Sequence, residues 1–495
     1  MRKRYFLLSI LFDIMAVSLI PANLLLINFN FPELVCAIAS LMVIVFSVLF
    51  LVKDRSKKTA KAIVNVLALF TVVVSIFGSY CNPYWNSISS RKDVNYYSKS
   101  YNYQISSDEA KEDLKYAMKY LRKLHPALYK GVPDDISRQY EIVKKRIEQW
   151  DEISVNELAK ETESIFSILK DGHTFVTGNY EDRKIMKYYH KWIYEGYEIT
   201  AVNGISIDEL LKQMSGYYSF EATSWEYELL SDDIVTEAGI DYLGFDIDDG
   251  VEYTLTSADG RTRIETCYLN DFLPWDEYAE FNDIDNAKTS ERSFVNYEID
   301  TEKDIAILRL DQCKYNDEYV SCVRRMFEEI KDKGIGNVAV DLRYNGGGSS
   351  LVANEFIRYL DVDSYKVGSM GWRLGFIYLK IGSGISKNEK YKDLLFSGNL
   401  YLLTSARTFS SAMMFAQFVK DNNLGTIIGE APGNDPNGYG EIAVFKLPNS
   451  QLYMQISTKR FYRADKECTD DLVYPDIECK SELAMEKLYK LLNEK

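Results

Sequence analysis

Apolar residues recur every three to four positions from Ser107 to Lys170, as Leu114, Met118, Leu121 and Leu124, then Ile142 and Ile147, then Leu158, Ile165 and Leu169. This period predicts a helical subdomain over residues 107–174. From 175 to 296 the pattern changes to short runs bounded by turn dipeptides. The stretch 196–214 reads as strand, Asn203-Gly204 turn and helix, and 251–269 as a hairpin around Asp259-Gly260. This middle region is expected to be strand-rich. Beyond residue 297, strand-like runs at 305–310, 337–342, 400–405 and 425–430 alternate with helical faces. Those faces are Val320, Val323, Phe327 and Ile330; Val352, Phe356 and Tyr359; and Ala412, Phe415, Ala416 and Val419. Strict alternation with short connections predicts βαβ units, a mostly parallel sheet, and function where strands end and helices begin.

The first 80 residues have a third pattern. Apolar stretches at Tyr5–Phe29, Pro32–Val52 and Lys61–Tyr80 are each near the ~20 residues that cross a bilayer as helix. Three transmembrane helices over 1–80, in contact with membrane lipid, and a linker over 81–106 are therefore expected. Arg2, Lys3 and Arg4 before the first stretch, and Lys53, Arg55, Lys57 and Lys58 between the second and third, place both of these segments inside. An odd number of crossings then makes the chain a multi-pass cell-membrane protein with its remaining bulk extracytoplasmic. Signal-peptide cleavage is not expected, because no small-residue site follows the first apolar core cleanly. Asp13 within that stretch is read as structural or snorkelling.

With 495 residues, more than one folded unit is expected. Hydrophobic residues at 46% and charged residues at 26% exclude a disordered chain. Residues 1–80 hold 8 Lys/Arg against 3 Asp/Glu, which leaves 50 against 70 for the remainder of a chain of net charge −15. An outer part so acidic repels phosphate backbones, so no nucleic-acid partner is expected. Six of the seven cysteines follow residue 80. Cys468 and Cys479 are close enough in sequence to be bridged, but no spacing resembles a zinc site, and free thiols are the default.

Three segments have the residue types of a reaction centre. Gly346, Gly347 and Gly348 follow a strand and precede a helix, which is either a flexible turn or a pocket of backbone N–H groups for an oxyanion. Ser410 opens the helix that follows 400–405, so it is either an N-cap or a nucleophile at the positive end of a helix dipole. A serine hydroxyl needs a base. Of the three histidines, His125 and His190 read as structural, whereas His173 sits at the junction of the helical and middle regions, where a side chain can face a cleft.

Five segments in order, DGHT at 171–174, DLRYNGGG at 341–348, TFSSAMMFA at 408–416, IIGE at 427–430 and VYPDIE at 473–478, resemble the C-terminal-processing, or tail-specific, serine peptidase family. The resemblance is to its tricorn-core-like branch, which uses a histidine base, and it runs from about Ser107 to the end. It implies a crotonase/ClpP-like α/β catalytic domain over 297–495, and with the three spans, the helical subdomain and a strand-rich, possibly degenerate PDZ-like region over 175–296 the expected fold class is a membrane-anchored α/β protein. It further implies Ser410 as nucleophile and His173 as base. The oxyanion hole would be the amide of Ser411 with that of Gly346 or Gly347, and an orienting acid would be Glu467, with Asp465 as rival. The lysine-base branch fits less well, since 429–442 contains no lysine. Lys420 and Lys459 remain as distant alternatives. The resemblance calls for no cofactor and no metal, and it implies a serine endopeptidase acting on peptides or unfolded protein segments. The alternative on the same fold is a catalytically silent module that binds a peptide or an apolar ligand.

Overall fold

The computed structural model describes residues 82–84, 87–88, 94–284, 293–382 and 384–494. The alternating pattern of the C-terminal part folds into a six-stranded sheet. Its order is Val295–Asp300, Ile305–Leu310, Asn337–Asp341, Asn399–Thr404, Thr426–Gly429 and Ile477–Glu478. The first pair is antiparallel and all later pairs are parallel. Val338, Ala339, Val340, Leu402 and Leu403 are fully buried, as expected of central strands covered on both faces. Helices Asp317–Lys333, Leu351–Ile357 and Ser411–Asp421 cover one face, and Ala484–Asn493 covers the other. Local chemistry sets the limits of Asp317–Lys333. The Asn316 side chain accepts the Tyr319 amide at its start, and Gly334, at φ 66°, ends it.

A second sheet was not anticipated from the sequence. Ile377–Ile381, Ser369–Leu374, Tyr453–Tyr462 and Tyr439–Lys446 pair antiparallel, and Phe175–Thr177 joins the Tyr453–Tyr462 strand. Phe445, Met454 and Ile456 pack into the core formed with helices Ser107–Leu124 and Val155–Phe166. This short pairing has a functional consequence. It anchors the chain two residues after His173 to the C-terminal half.

The middle region contains the four-stranded sheet Ile205–Ser206, Tyr197–Val202, Val251–Ser257 and Thr262–Cys267. The Asn203-Gly204 turn has φ of 47° and 74°, as a tight hairpin turn requires. The region is mixed rather than simply strand-rich, since helices Ile207–Met214, Thr223–Asp233 and Glu237–Leu243 belong to it. Thr223–Asp233 escapes a periodicity reading because it buries Glu226 beside Leu230, which interrupts the apolar stripe.

Two expectations are corrected. No helix among the described residues is long and apolar enough to cross a membrane. The longest of them, Ser107–Leu124, turns Leu114 and Leu121 inward but also carries Lys111, Lys115, Lys119 and Lys123, so it is amphipathic. The three spans expected over 1–80 lie outside the described residues. The described chain is thus a mixed α/β protein without a spanning helix, so the membrane-anchored class and the multi-pass, extracytoplasmic localisation are not supported by the described residues. Cys468 and Cys479 are free thiols, as are Cys267, Cys313 and Cys322.

Candidate active site

Ser410 stands between the Asn399–Thr404 strand and the Ser411–Asp421 helix with φ 56° and ψ −121°, a conformation that costs a non-glycine residue about 1–3 kcal/mol. Its side chain makes no capping bond to the helix it begins, which removes the bland reading of this serine. The surrounding backbone holds the strain. The Ser410 N–H donates to Asn434 Oδ1 at 2.7 Å, and the Phe409 N–H to the Asn345 carbonyl at 3.0 Å. A sharp strand-to-helix turn of this kind presents a nucleophile's oxygen outward.

The glycine loop folds against this turn. Gly347 has φ +102°, and a Cβ there would lie 2.6 Å from Ser410 Cβ and 3.0 Å from the Ser411 nitrogen. Its own N–H donates to Asn345 Oδ1 at 2.9 Å and its carbonyl accepts the Cys313 N–H at 2.9 Å. Gly347 therefore provides space rather than a donor. The amides of Gly346 and Ser411 have no hydrogen-bond partner among the described residues, so both remain able to receive an oxyanion.

His173 lies in a turn built on Asp171, whose carboxylate accepts from the His173 amide at 2.9 Å and the Thr174 hydroxyl at 2.6 Å. His125, read as structural from the sequence, places Nε2 3.0 Å from Asp171 Oδ2, while its Nδ1 accepts the Ala127 amide. Nε2 is thus the protonated nitrogen of His125 and donates to Asp171. Burial raises the Asp171 pKa, but the hydrogen bond from His125, the electrostatic pull of His125 and His173, and the Thr174 hydrogen bond more than offset it and hold the group at about 2. His190 is exposed on the Tyr189–Tyr194 helix.

His173 is 8% exposed, and neither of its ring nitrogens has a hydrogen-bond partner. Asp171 Oδ1 is 3.8 Å from Nδ1, beyond hydrogen-bonding reach. Burial lowers the His173 pKa and Asp171 opposes this only partly, so the ring is neutral near pH 7 and able to accept a proton. His173 and Ser410 line one cavity of about 670 Å³ together with Gly346, Gly348 and Ser411, and Met370, Met413 and Phe461 add apolar surface. No hydrogen bond joins the ring to the serine. Such contacts are often long in a free enzyme and tighten with substrate.

The acid expected from sequence spacing lies elsewhere. Glu467 is exposed, with its amide donating to Asp465 Oδ1, and Asp465 pairs with Lys366 Nζ at 3.0 Å; neither acid lines the cavity. Lys420 pairs with Asp476, and Lys459, although it lines the cavity, is held by Glu441 at 2.9 Å. Glu221 takes the place beside His173. One ligand atom each from Asp171, His173 and Glu221 lie within 4.8 Å of one another. Glu221 Oε2 accepts the Gly172 amide at 3.2 Å, and Oε1 is enclosed without a partner. Burial, with the charge of Asp171, raises its pKa well above the ordinary carboxylate range. The same triangle has the spacing to hold a cation, although Asp171 already accepts three hydrogen bonds. Sequence reasoning missed Glu221 because it comes from the middle region, 49 positions from Gly172, where no spacing rule connects them.

Residues 304–479 match the model of peptidase family S41. No curated protein sequence matches the chain. Among solved structures, mature CPAF is similar with a TM-score of 0.54 at 12% identity, over 78% of this chain and 96% of CPAF. A point mutant of CPAF reaches 0.57 at the same identity and coverage. The photosystem II D1 C-terminal processing protease matches at 0.43 and 14% identity, over 77% of this chain and 97% of its own. At such identities the CPAF likeness is one of fold.

Proposed function

From the membership of residues 304–479 in the serine peptidase family S41, we propose that this chain is an endopeptidase that hydrolyses peptides or unfolded protein segments through an acyl-enzyme on Ser410. The observation that carries the reading is the pairing, in one cavity, of a strained, uncapped serine with a buried imidazole whose two nitrogens lack partners. Such unpaired groups cost stability and persist where chemistry uses them.

In this scheme His173 takes the Ser410 hydroxyl proton as the oxygen attacks the substrate carbonyl. The amides of Ser411 and Gly346 receive the tetrahedral oxyanion, aided by the helix dipole at Ser411. The imidazolium then gives its proton to the leaving amine, and water, deprotonated by His173, hydrolyses the ester. Glu221, kept protonated by burial, faces the ring and is the acid we assign to orient it, in place of Glu467, while the ionised Asp171, 3.8 Å from Nδ1, stabilises its charged form. The His125–Asp171 contact fixes the turn that carries the ring.

A fluorophosphonate probe tests the reading. It should label Ser410 covalently in the wild-type protein and not in Ser410→Ala. Absence of labelling, together with tight binding of an apolar ligand, would establish the silent-module alternative.

A further inference from the structure

A second cavity, of about 280 Å³, shares Gly172, Phe175 and Trp225 as a wall with the Ser410 cavity. Three carboxylates line it, from Glu163, Asp233 and Asp232, the last paired with Arg407 Nη2 at 3.5 Å, against a single cationic side chain in the lining, the exposed Arg183. Glu163 is 4% exposed and forms no ion pair among the described residues; it accepts the Ser219 hydroxyl at 2.6 Å and the Val176 amide at 2.7 Å. Asp233 accepts the Tyr218 hydroxyl at 2.6 Å, likewise with no ion pair. The rings of Tyr218 and Tyr242 stack at 6.1 Å along the wall.

A carboxylate enclosed without a cation, as Glu163 is, is costly, and for the half-buried Asp233 the charge of Arg183 offsets burial only partly. Burial accordingly pushes Glu163 up to about 8 and Asp233 up to about 6. A long aliphatic stem ending in a cation complements the acidic and aromatic parts of this lining: Tyr218 and Trp225 take the stem, one Tyr242 face already carrying Lys160 Nζ at 5.7 Å, and the carboxylates take its N–H groups. The position also fits. Gly172 immediately precedes His173 and lines both cavities. A Cβ at Gly172 would meet Phe409 Cζ at 2.9 Å and Glu221 Oε2 at 3.0 Å.

We propose that this cavity is the side-chain subsite of the peptidase and takes a lysine or arginine side chain that flanks the scissile bond. The inference rests on the Ser410–His173 reading of the neighbouring cavity, and it adds the substrate class.

The test uses quenched fluorescent peptides that differ only in lysine or the nearly isosteric norleucine at each position around the cleaved bond. At one position the wild-type protein should favour lysine by at least about tenfold in kcat/KM, expressed mainly in KM. Asp233→Asn, which keeps the Tyr218 hydrogen bond, and Asp232→Lys, an exposed change at the rim, should each reduce that lysine-to-norleucine ratio by about tenfold. Equal rates for the two peptides at every position, or a ratio that survives both substitutions, would overturn the subsite. Fluorophosphonate labelling of Ser410 reports separately on the peptidase reading. Calorimetry of butylguanidinium with Ser410→Ala needs no hydrolysis. Binding that Asp233→Asn weakens supports the subsite, and no binding up to about 10 mM overturns it.

Discussion

The His173 ring packs against the ring of Phe409, with centroids 4.7 Å apart, and Phe409 directly precedes Ser410. Phe409 is itself braced by Trp225 at 4.5 Å. The proposed base and nucleophile therefore share one aromatic support, although 237 positions of sequence separate His173 from Ser410. Any shift of that ring moves both partners relative to each other.

Replacing Ser410 tests chemistry and strain together. Ser410→Ala should reduce peptide hydrolysis by at least about 10⁴-fold with the fold intact. Ser410→Gly should be equally inactive but more stable than Ser410→Ala by about 1–3 kcal/mol, because glycine tolerates φ 56°, ψ −121° without strain. Chemical denaturation of the two variants measures the difference.

Two neighbouring glycines should respond in opposite ways. A Cβ at Gly347 would collide with Ser410 Cβ at 2.6 Å and the Phe409 carbonyl at 2.8 Å, whereas a Cβ at Gly346 meets nothing within 4 Å. Gly347→Ala should lose fluorophosphonate labelling by about 100-fold or more, since a 1 Å displacement of a reacting group costs that much. Gly346→Ala keeps its amide and should label within a few-fold of wild type.

The acid assignment separates Glu221 from Glu467. Glu221→Gln, which changes the hydrogen-bonding end that orients the ring, should lower kcat/KM by about 10- to 100-fold, the scale of misplacing a reacting group by about 1 Å. Glu467→Gln and Asp465→Asn, both remote from the cavity, should leave kcat/KM unchanged. Activity loss in Glu467→Gln with Glu221→Gln unaffected would reverse the assignment.

The pH profile follows from the direction of the His173 shift. Burial lowers its pKa below the ordinary value of 6.5, so the ring stays neutral at mildly acidic pH. The acidic limb of kcat/KM should therefore have its midpoint below 6.5. The same shift affects stability: between the folded-state pKa and 6.5 the unfolded chain binds more protons, so stability falls as pH drops through that window.

Glu163 acts in the opposite sense. Its folded-state pKa, raised from 4.5 to about 8 by burial, means that the folded chain holds the extra proton. The contribution is complete below 4.5 and is lost as pH rises towards 8. Glu163→Gln should flatten the decline in denaturation midpoint across that range. An unchanged slope would show that Glu163 is ionised in the folded protein.

Much of this protein was legible along the chain because its signals are local. The run at 337–342 reads as a buried strand and the face of Phe415, Ala416 and Val419 as a helix, since burial on two faces or one stripe leaves a period in the sequence. The glycine loop, Ser410 and His173 were recognisable for a similar reason, as each sits at a junction whose residue types are unusual. The antiparallel sheet of Ser369–Leu374, Tyr439–Lys446 and Tyr453–Tyr462 was not legible, because pairing between distant segments leaves no periodic mark. Choosing between amides of the glycine loop required knowing that Asn345 occupies that of Gly347. The nearest carboxylates to an imidazole are likewise a matter of through-space distance. Residue order alone determined which side chains this chain has for hydrolysis and which elements bear them. Tertiary packing decided that Glu221 rather than Glu467 faces His173, because a proton responds to ångströms of separation and to burial, and neither is proportional to distance along the backbone.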